Sequence, residues 1–207
     1  MKQFIALAAV AAAALATPAM AQDNSGRYVQ VNLGGAVAGS VDLDVVSPPD
    51  TFSGDADLES GLFASIAAGT RGDSAFSVEG EVLYVQSDID TAEADAIFGP
   101  LDASVSTVGV LANVMYNFST GGPVAPYVGA GVGWGMVDYE VAGESEDDSS
   151  LIWQAKAGVT IPMSETMTWD IGYRYIDMPT FEISDGTDSI RAEGSAHVVS
   201  IGARFVF

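Results

Sequence analysis

The final eleven residues, HVVSIGARFVF (197–207), alternate with a period of two. Val199, Ile201, Ala203, Phe205 and Phe207 fall on one face, and Ser200, Gly202, Arg204 and Val206 on the other. Successive side chains of a strand point to opposite sides, so this segment predicts a strand with an apolar, aromatic face and a mixed face that carries a charge. Seven earlier segments show the same pattern: RYVQVNLGGAVAG (27–39), LESGLFASIAAGT (58–70), SAFSVEGEVLYVQ (74–86), ASVSTVGVLANVMYNF (103–118), APYVGAGVGWGMVDYE (125–140), LIWQAKAGVTI (151–161) and TMTWDIGYRYIDM (166–178). In the third, Phe76, Val78, Gly80, Val82 and Tyr84 oppose Ser77, Glu79 and Glu81. In the sixth, Trp153, Ala155, Ala157, Val159 and Ile161 oppose Gln154, Lys156, Gly158 and Thr160. In the seventh, Trp169, Ile171, Tyr173 and Tyr175 oppose Thr168, Asp170, Gly172 and Arg174. Every charge at a strand centre lies opposite an apolar face.

The connections alternate in length. Those after the second, fourth and sixth strands are short (71–73, 119–124 and 162–165), while the others are long. Short turns on one side and long loops on the other are the topology of a barrel threaded through an outer membrane, and strands of about 9–11 residues suffice to cross it when tilted. The expected fold is all-β: an eight-stranded antiparallel up-and-down transmembrane β-barrel. In a water-soluble barrel the charged face would lie outside. The inverted arrangement is favoured here because the face charges are few and balanced in sign, Glu79, Glu81 and Asp170 against Lys156, Arg174 and Arg204. A narrow lumen needs that balance, since an unpaired buried charge costs several kcal/mol. The apolar faces also carry aromatic residues near the strand ends, as interfacial girdles do. Phe76, Phe118, Trp169, Phe205 and Phe207 would form the periplasmic girdle; Tyr84, Trp134, Trp153 and Tyr175 would form the outer one. Gly129, Gly131, Gly133 and Gly135 occupy the inward face of the fifth strand. They either let the wall curve and give long side chains room, or reflect tolerance of small residues in a crowded interior.

The amino terminus sets the compartment. Lys2, the apolar run FIALAAVAAAALA (4–16) and the small-residue site Ala19-Met20-Ala21 form the three parts of a secretory signal peptide. The apolar run is shorter than the ~20 residues a membrane-spanning helix needs. Residues 1–21 are expected to be removed, leaving 22–207 as one barrel domain. No cysteine is present, so neither disulfide nor thiol chemistry is expected. The formal net charge is −21, which sets nucleic acid aside as a partner. Yet 48% of residues are apolar, too many for a disordered acidic chain, so the acid must be clustered. It is: 21 of the 28 acidic residues lie in the four long connections or their flanks.

The stretches APYVGAGVGWG (125–135), DIGYRYID (170–177) and GARFVF (202–207), together with the signal peptide, resemble the small outer-membrane β-barrel family that includes the OmpA barrel, OmpX and alphaproteobacterial porin-family surface proteins. The resemblance covers the whole mature chain and marks a barrel type, not one activity. It implies that Phe207 and Phe205 belong to the C-terminal assembly signal. It also implies the outer membrane of a Gram-negative bacterium as location, its lipid and lipopolysaccharide as surroundings, and the barrel-assembly machinery and periplasmic chaperones as partners. OmpA itself continues into a peptidoglycan-binding domain, whereas this sequence stops at Phe207, so anchoring through such a domain is not expected.

Eight-stranded barrels have interiors just filled by side chains. The lumen is therefore expected to hold a hydrogen-bonded, ion-paired plug of Glu79, Glu81, Lys156, Asp170, Arg174 and Arg204, and a structural or surface-recognition role follows. A narrow channel for small solutes is the alternative. The acidic loops offer oxygen ligands to divalent cations such as Ca²⁺, but GESEDDSS (143–150) lacks the spacing of an EF-hand, and a solvated anionic surface explains them as well. The last long connection alternates on both sides of Asp185-Gly186, a strong hairpin signal, so the seventh and eighth strands should protrude as a ribbon able to recruit a partner by strand addition. A lipid A-modifying enzyme would need a base and a nucleophile on one face. His197, the sole histidine, faces outward while Ser200 points the other way, so no catalytic, cofactor or metal residue is assigned. A soluble ligand carrier would need an apolar lumen, which the register argues against.

Overall fold

The computed structural model describes residues 26–47, 50–57, 60–71, 75–88, 103–141, 144–178, 181–185 and 188–207. The expected signal peptide, residues 1–21, lies outside them, as does the whole of the acidic connection 89–102. The strands are β1 (Arg27–Ser47), β2 (Asp50–Asp57), β3 (Gly61–Arg71), β4 (Phe76–Asp88), β5 (Ala103–Asn117), β6 (Ala125–Val141), β7 (Glu144–Pro162), β8 (Met167–Asp177), β9 (Phe181–Asp185) and β10 (Asp188–Val206). Eight of these, β1, β3 to β8 and β10, pair antiparallel in chain order, and β10 pairs back onto β1. The fold is thus a closed eight-stranded antiparallel barrel. Closure satisfies the wall's backbone groups internally, which is what a strand structure needs in order to stand in hydrocarbon.

The two faces of the wall are inverted relative to a water-soluble protein. Outward positions hold exposed Leu33, Leu62, Phe76, Val110, Val132, Leu151, Ile171 and Ile201, whereas Glu79, Glu81, Lys156, Asp170, Arg174 and Arg204 are buried within. The inward glycines of β6 make room for β5. A Cβ on Gly131 would overlap Oδ1 of Asn113, and one on Gly129 would overlap Sδ of Met115. Of the two readings of that glycine row, room for neighbouring side chains is the one these contacts support. In the turn between β5 and β6, Gly121 adopts a φ of 68°, a conformation glycine enters without steric cost.

Several strands run further than the alternation alone suggests. β1 continues to Ser47, β7 begins at Glu144, and β10 begins at Asp188. The third acidic connection, expected as a loop, is therefore largely a hairpin, with Val141 paired to Glu144. β2 was not expected at all. It pairs along Ser40–Ser47 of β1 beyond the point where β3 ends. These segments are rich in Asp, Gly and Ser, which are poor strand formers in isolation; pairing to an already fixed neighbour outweighs that preference.

The ribbon anticipated at Asp185-Gly186 is present, with Asp185 paired to Asp188. It is wider than a hairpin, because β2, β1, β10 and β9 form four consecutive strands at the long-connection end. The register alternates polar and apolar rows. Asp55, Asp42 and Glu193 share one row, and Ser53, Asp44, Arg191 and Glu182 share another. Gly54, Leu43, Ala192 and Phe181 lie between them, and Phe52, Val45, Ile190 and Ile183 lie beyond. A bulge makes this segregation continuous with the barrel. Ala36 pairs with Val198 but Ala38 pairs with His197, leaving Val37 as the extra residue. Below it the even residues of β1 share the register of the lumen side; above it the odd residues do. One inserted residue flips the faces of a strand, so Val41, Leu43 and Val45 stay in register with the inward positions of β10.

Candidate functional site

The lumen contains two layers. The lower one, toward the short turns, is polar. Glu81 lies at its centre and accepts from four donors. Arg174 Nη1 donates to Oε1 at 2.7 Å, and Gln154 Nε2, Asn113 Nδ2 and Lys156 Nζ donate to Oε2 at 2.7, 2.9 and 3.2 Å. Glu79 accepts from Lys156 at 2.6 Å and Asn113 at 3.1 Å through Oε1, and from the Tyr28 hydroxyl at 2.9 Å through Oε2. These residues come from β1, β4, β5, β7 and β8. In the closed ring β4 and β8 are four strands apart, which places them on opposite walls. The Arg174–Glu81 contact therefore crosses the bore. All members of the network are buried, and the opposed charges are matched two against two.

Asp170 and Arg204 are brought into the same lower layer but not into this network. The Tyr127 hydroxyl donates to Asp170 Oδ1 at 3.1 Å, while Oδ2 has no hydrogen-bond partner among the described residues. Arg204 donates through Nε to Gln30 Oε1 at 2.8 Å, and its guanidinium lies 4.2 Å over the Tyr28 ring. Among the described residues the two form no ion pair with each other. The neutral members Tyr28, Gln30, Asn113, Tyr127 and Gln154 were not singled out from the sequence. Their signal was inward register alone, which neutral residues share with many positions of no consequence.

The upper layer corrects the expectation of a polar lumen throughout. Phe63, Leu83, Val85, Val105, Leu111, Val137, Ile152, Ile176, Met178 and Val198 pack into one buried apolar cluster toward the long connections. Inward charges suggest a polar lumen, but the same strands carry apolar residues at the next inward positions upward: Leu83 after Glu81, Ile176 after Arg174, Ile152 before Gln154. The layers meet where the Arg174 guanidinium lies 4.3 Å over the Phe63 ring.

The girdle residues all occupy outward register. At the turn end Phe76, Phe118, Trp169, Phe205 and Phe207 are exposed. There Tyr116 joins Phe76 and Phe118 edge to face at 5.1 and 4.8 Å. At the other end Trp134 and Trp153 are exposed, and Tyr84 and Tyr175 are half-buried. His197 is also outward, with its Nδ1 hydrogen-bonded to the Tyr173 hydroxyl at 2.5 Å. Ser200 is buried on the lumen side, so this imidazole and that hydroxyl stand on opposite faces of β10.

A closed wall, apolar outside and ion-paired within, defines a transmembrane β-barrel. The chain belongs to the outer membrane protein beta-barrel domain family, which it matches over residues 5–207. No curated protein matches it. Among solved structures it is similar to Neisserial surface protein A, at 22% identity and a TM-score of 0.51, over 90% of this chain and 100% of that one. It is also similar to the outer membrane protein OprG from Pseudomonas aeruginosa (14% identity, TM-score 0.57, 89% and 98% covered) and to the outer membrane protein AlkL (19%, 0.53, 92% and 94%). At these identities the likeness is one of fold.

Proposed function

We propose that the protein is a non-conducting outer-membrane barrel that stabilises the envelope and presents its ribbon and acidic connections at the cell surface. The observation that carries this reading is the Arg174–Glu81 contact across the bore, roofed by the apolar cluster. Ions would have to break matched buried charge pairs and then cross a mainly apolar layer, whose buried hydroxyls among the described residues are those of Ser87 and Thr107. The short turns are assigned to the periplasm and the long connections to the outside. The amino-terminal segment directs export and is then removed, in a Gram-negative bacterium. Outward Phe205 and Phe207 at the end of β10 suit recognition by the barrel-assembly machinery after delivery by periplasmic chaperones. Lipid and lipopolysaccharide surround the wall. Partners at the surface are recruited by the ribbon edges or through divalent cations at the carboxylates. No enzymatic role is proposed, because the imidazole of His197 and the hydroxyl of Ser200 face opposite ways.

A narrow channel is the competing reading, since lumenal charges can act as a gate. Swelling of proteoliposomes in small sugars separates the two. The plugged barrel leaves swelling at the rate of empty liposomes; swelling that falls with increasing solute size would establish the channel.

A further inference from the structure

Four rings stand together on the outer wall, at the long-connection end of β7, β8 and β10. The ring centroids of Trp153 and Tyr175 are 5.2 Å apart, those of Tyr175 and His197 5.3 Å, and those of Tyr173 and His197 6.0 Å. The Tyr173–His197 hydrogen bond fixes the imidazole. Ala155 and Ala157 are register partners of Tyr175 and Tyr173 on the β7 side, and both are exposed. Small residues there leave one flank of the tyrosine rings uncovered, forming a shallow shelf.

Other aromatic residues at this end differ. The Tyr84 hydroxyl donates to Gln86 at 2.8 Å, and Trp134 has no ring partner among the described residues. In the cluster, Trp153 Nε1, the Tyr175 hydroxyl and His197 Nε2 have no hydrogen-bond partner among the described residues. Acyl chains offer such groups nothing, and leaving them unmet in hydrocarbon is costly. Rings with polar tips belong at the border between acyl chains and headgroups. The cluster is continuous with the apolar lipid-facing wall below it, so its occupant is a lipid of the outer leaflet. No Lys or Arg occupies an outward position of β7 or β8; on β10, Arg191 stands three outward positions above His197, in the row between Asp44 and Glu182; and Asp177 is the next outward residue above Tyr175. That environment does not suit a phosphate. It suits a sugar, whose C–H face stacks on aromatic rings and whose hydroxyls both donate and accept.

From this juxtaposition we infer that Trp153, Tyr173, Tyr175 and His197 form a binding site for the sugar headgroup of an outer-leaflet glycolipid. The inference rests on the orientation given under the proposed function. It does not depend on whether the lumen conducts, so the two fail separately.

The test uses full-chain protein purified from membranes, with Trp134→Phe and Trp169→Phe so that Trp153 is the sole tryptophan and is excited selectively at the red edge of indole absorption. Emission is followed in bilayers of fixed phospholipid content titrated with a phosphorylated disaccharide glycolipid, its dephosphorylated form, or phosphatidylglycerol. The site predicts a saturable shift with both glycolipids and none with phosphatidylglycerol. Tyr175→Phe, which removes only a hydroxyl, moves the midpoint roughly fivefold, the effect of one hydrogen bond; His197→Ala moves it further. Each variant's heat-modifiable gel band verifies folding. An equal response to phosphatidylglycerol, a response that requires the phosphate, or a midpoint unmoved in folded Tyr175→Phe would overturn the assignment.

Discussion

Arg174 on β8 donates to Glu81 on the opposite wall, at 2.7 Å, and thereby joins the two sides of the bore. The same glutamate takes Lys156 and two amides on its other oxygen. Glu81→Gln leaves two buried cations short of a counter-charge, which costs about 3–5 kcal/mol. The expected result is a lower urea midpoint for loss of the folded, heat-modifiable band. A double-mutant cycle with Arg174→Met should return a coupling of about 1.5 kcal/mol or more.

Asp170 should behave differently although it is equally buried. Among the described residues it has no ion pair and one bonded oxygen. Asp170→Asn keeps an acceptor for Tyr127 and breaks no direct ion pair, so its cost stays below about 1 kcal/mol. Side-by-side urea titrations of Asp170→Asn and Glu81→Gln check the contrast; equal losses would show that the pairing pattern is misassigned.

Phe63 belongs to both layers, as part of the apolar cluster and as the ring beneath Arg174. Phe63→Ala should cost about 3–5 kcal/mol, through the cavity it opens. Phe63→Leu, which keeps most of the volume, should cost clearly less by the same measurement.

A methyl group at Gly131 would occupy the space of Asn113 Oδ1. Asn113 is held in turn by bonds to Glu79, Glu81 and Gln154, so it has little freedom to swing aside. Gly131→Ala is expected to destabilise by about 1–3 kcal/mol, as overpacking does. In the Asn113→Ala background most of that penalty should vanish.

Val37 is the extra residue of the bulge, so deleting it leaves the β1–β10 pairs above and below it in register. Asp42 and Asp44 keep their rows with Glu193 and Arg191, and the faces of the ribbon are unchanged. Limited proteolysis of the deletion variant should therefore match that of the parent protein, with the heat-modifiable band retained. Early cutting of the β1–β2 extension in the variant alone would show that the local bend of the bulge is itself needed there.

Much of this architecture was legible in the alternation. Period two with charges opposite aromatics, as in residues 76–84 and 166–178, identified both the barrel and its inversion, because only one face of such a strand can meet lipid. Three things were not legible. β2 and the extended hairpin of β6 and β7 are rich in Asp, Ser and Glu, whose strand structure comes from pairing partners and not from their own preference. The bulge at Val37 is a single residue within an apolar run, VNLGGAVAG, in which a shift of phase leaves no mark. The apolar roof is marked in the sequence only by single inward residues, such as Leu83 and Ile176, next to the charges of Glu81 and Arg174 on the same faces.

Single-channel recording of the refolded protein in planar bilayers tests the central claim most directly. A folded, inserted barrel whose conductance stays at the membrane background is the predicted result. Discrete, reproducible openings in the parent protein would contradict it, because they would require the bond between Arg174 and Glu81 to open and the apolar roof above it to admit water.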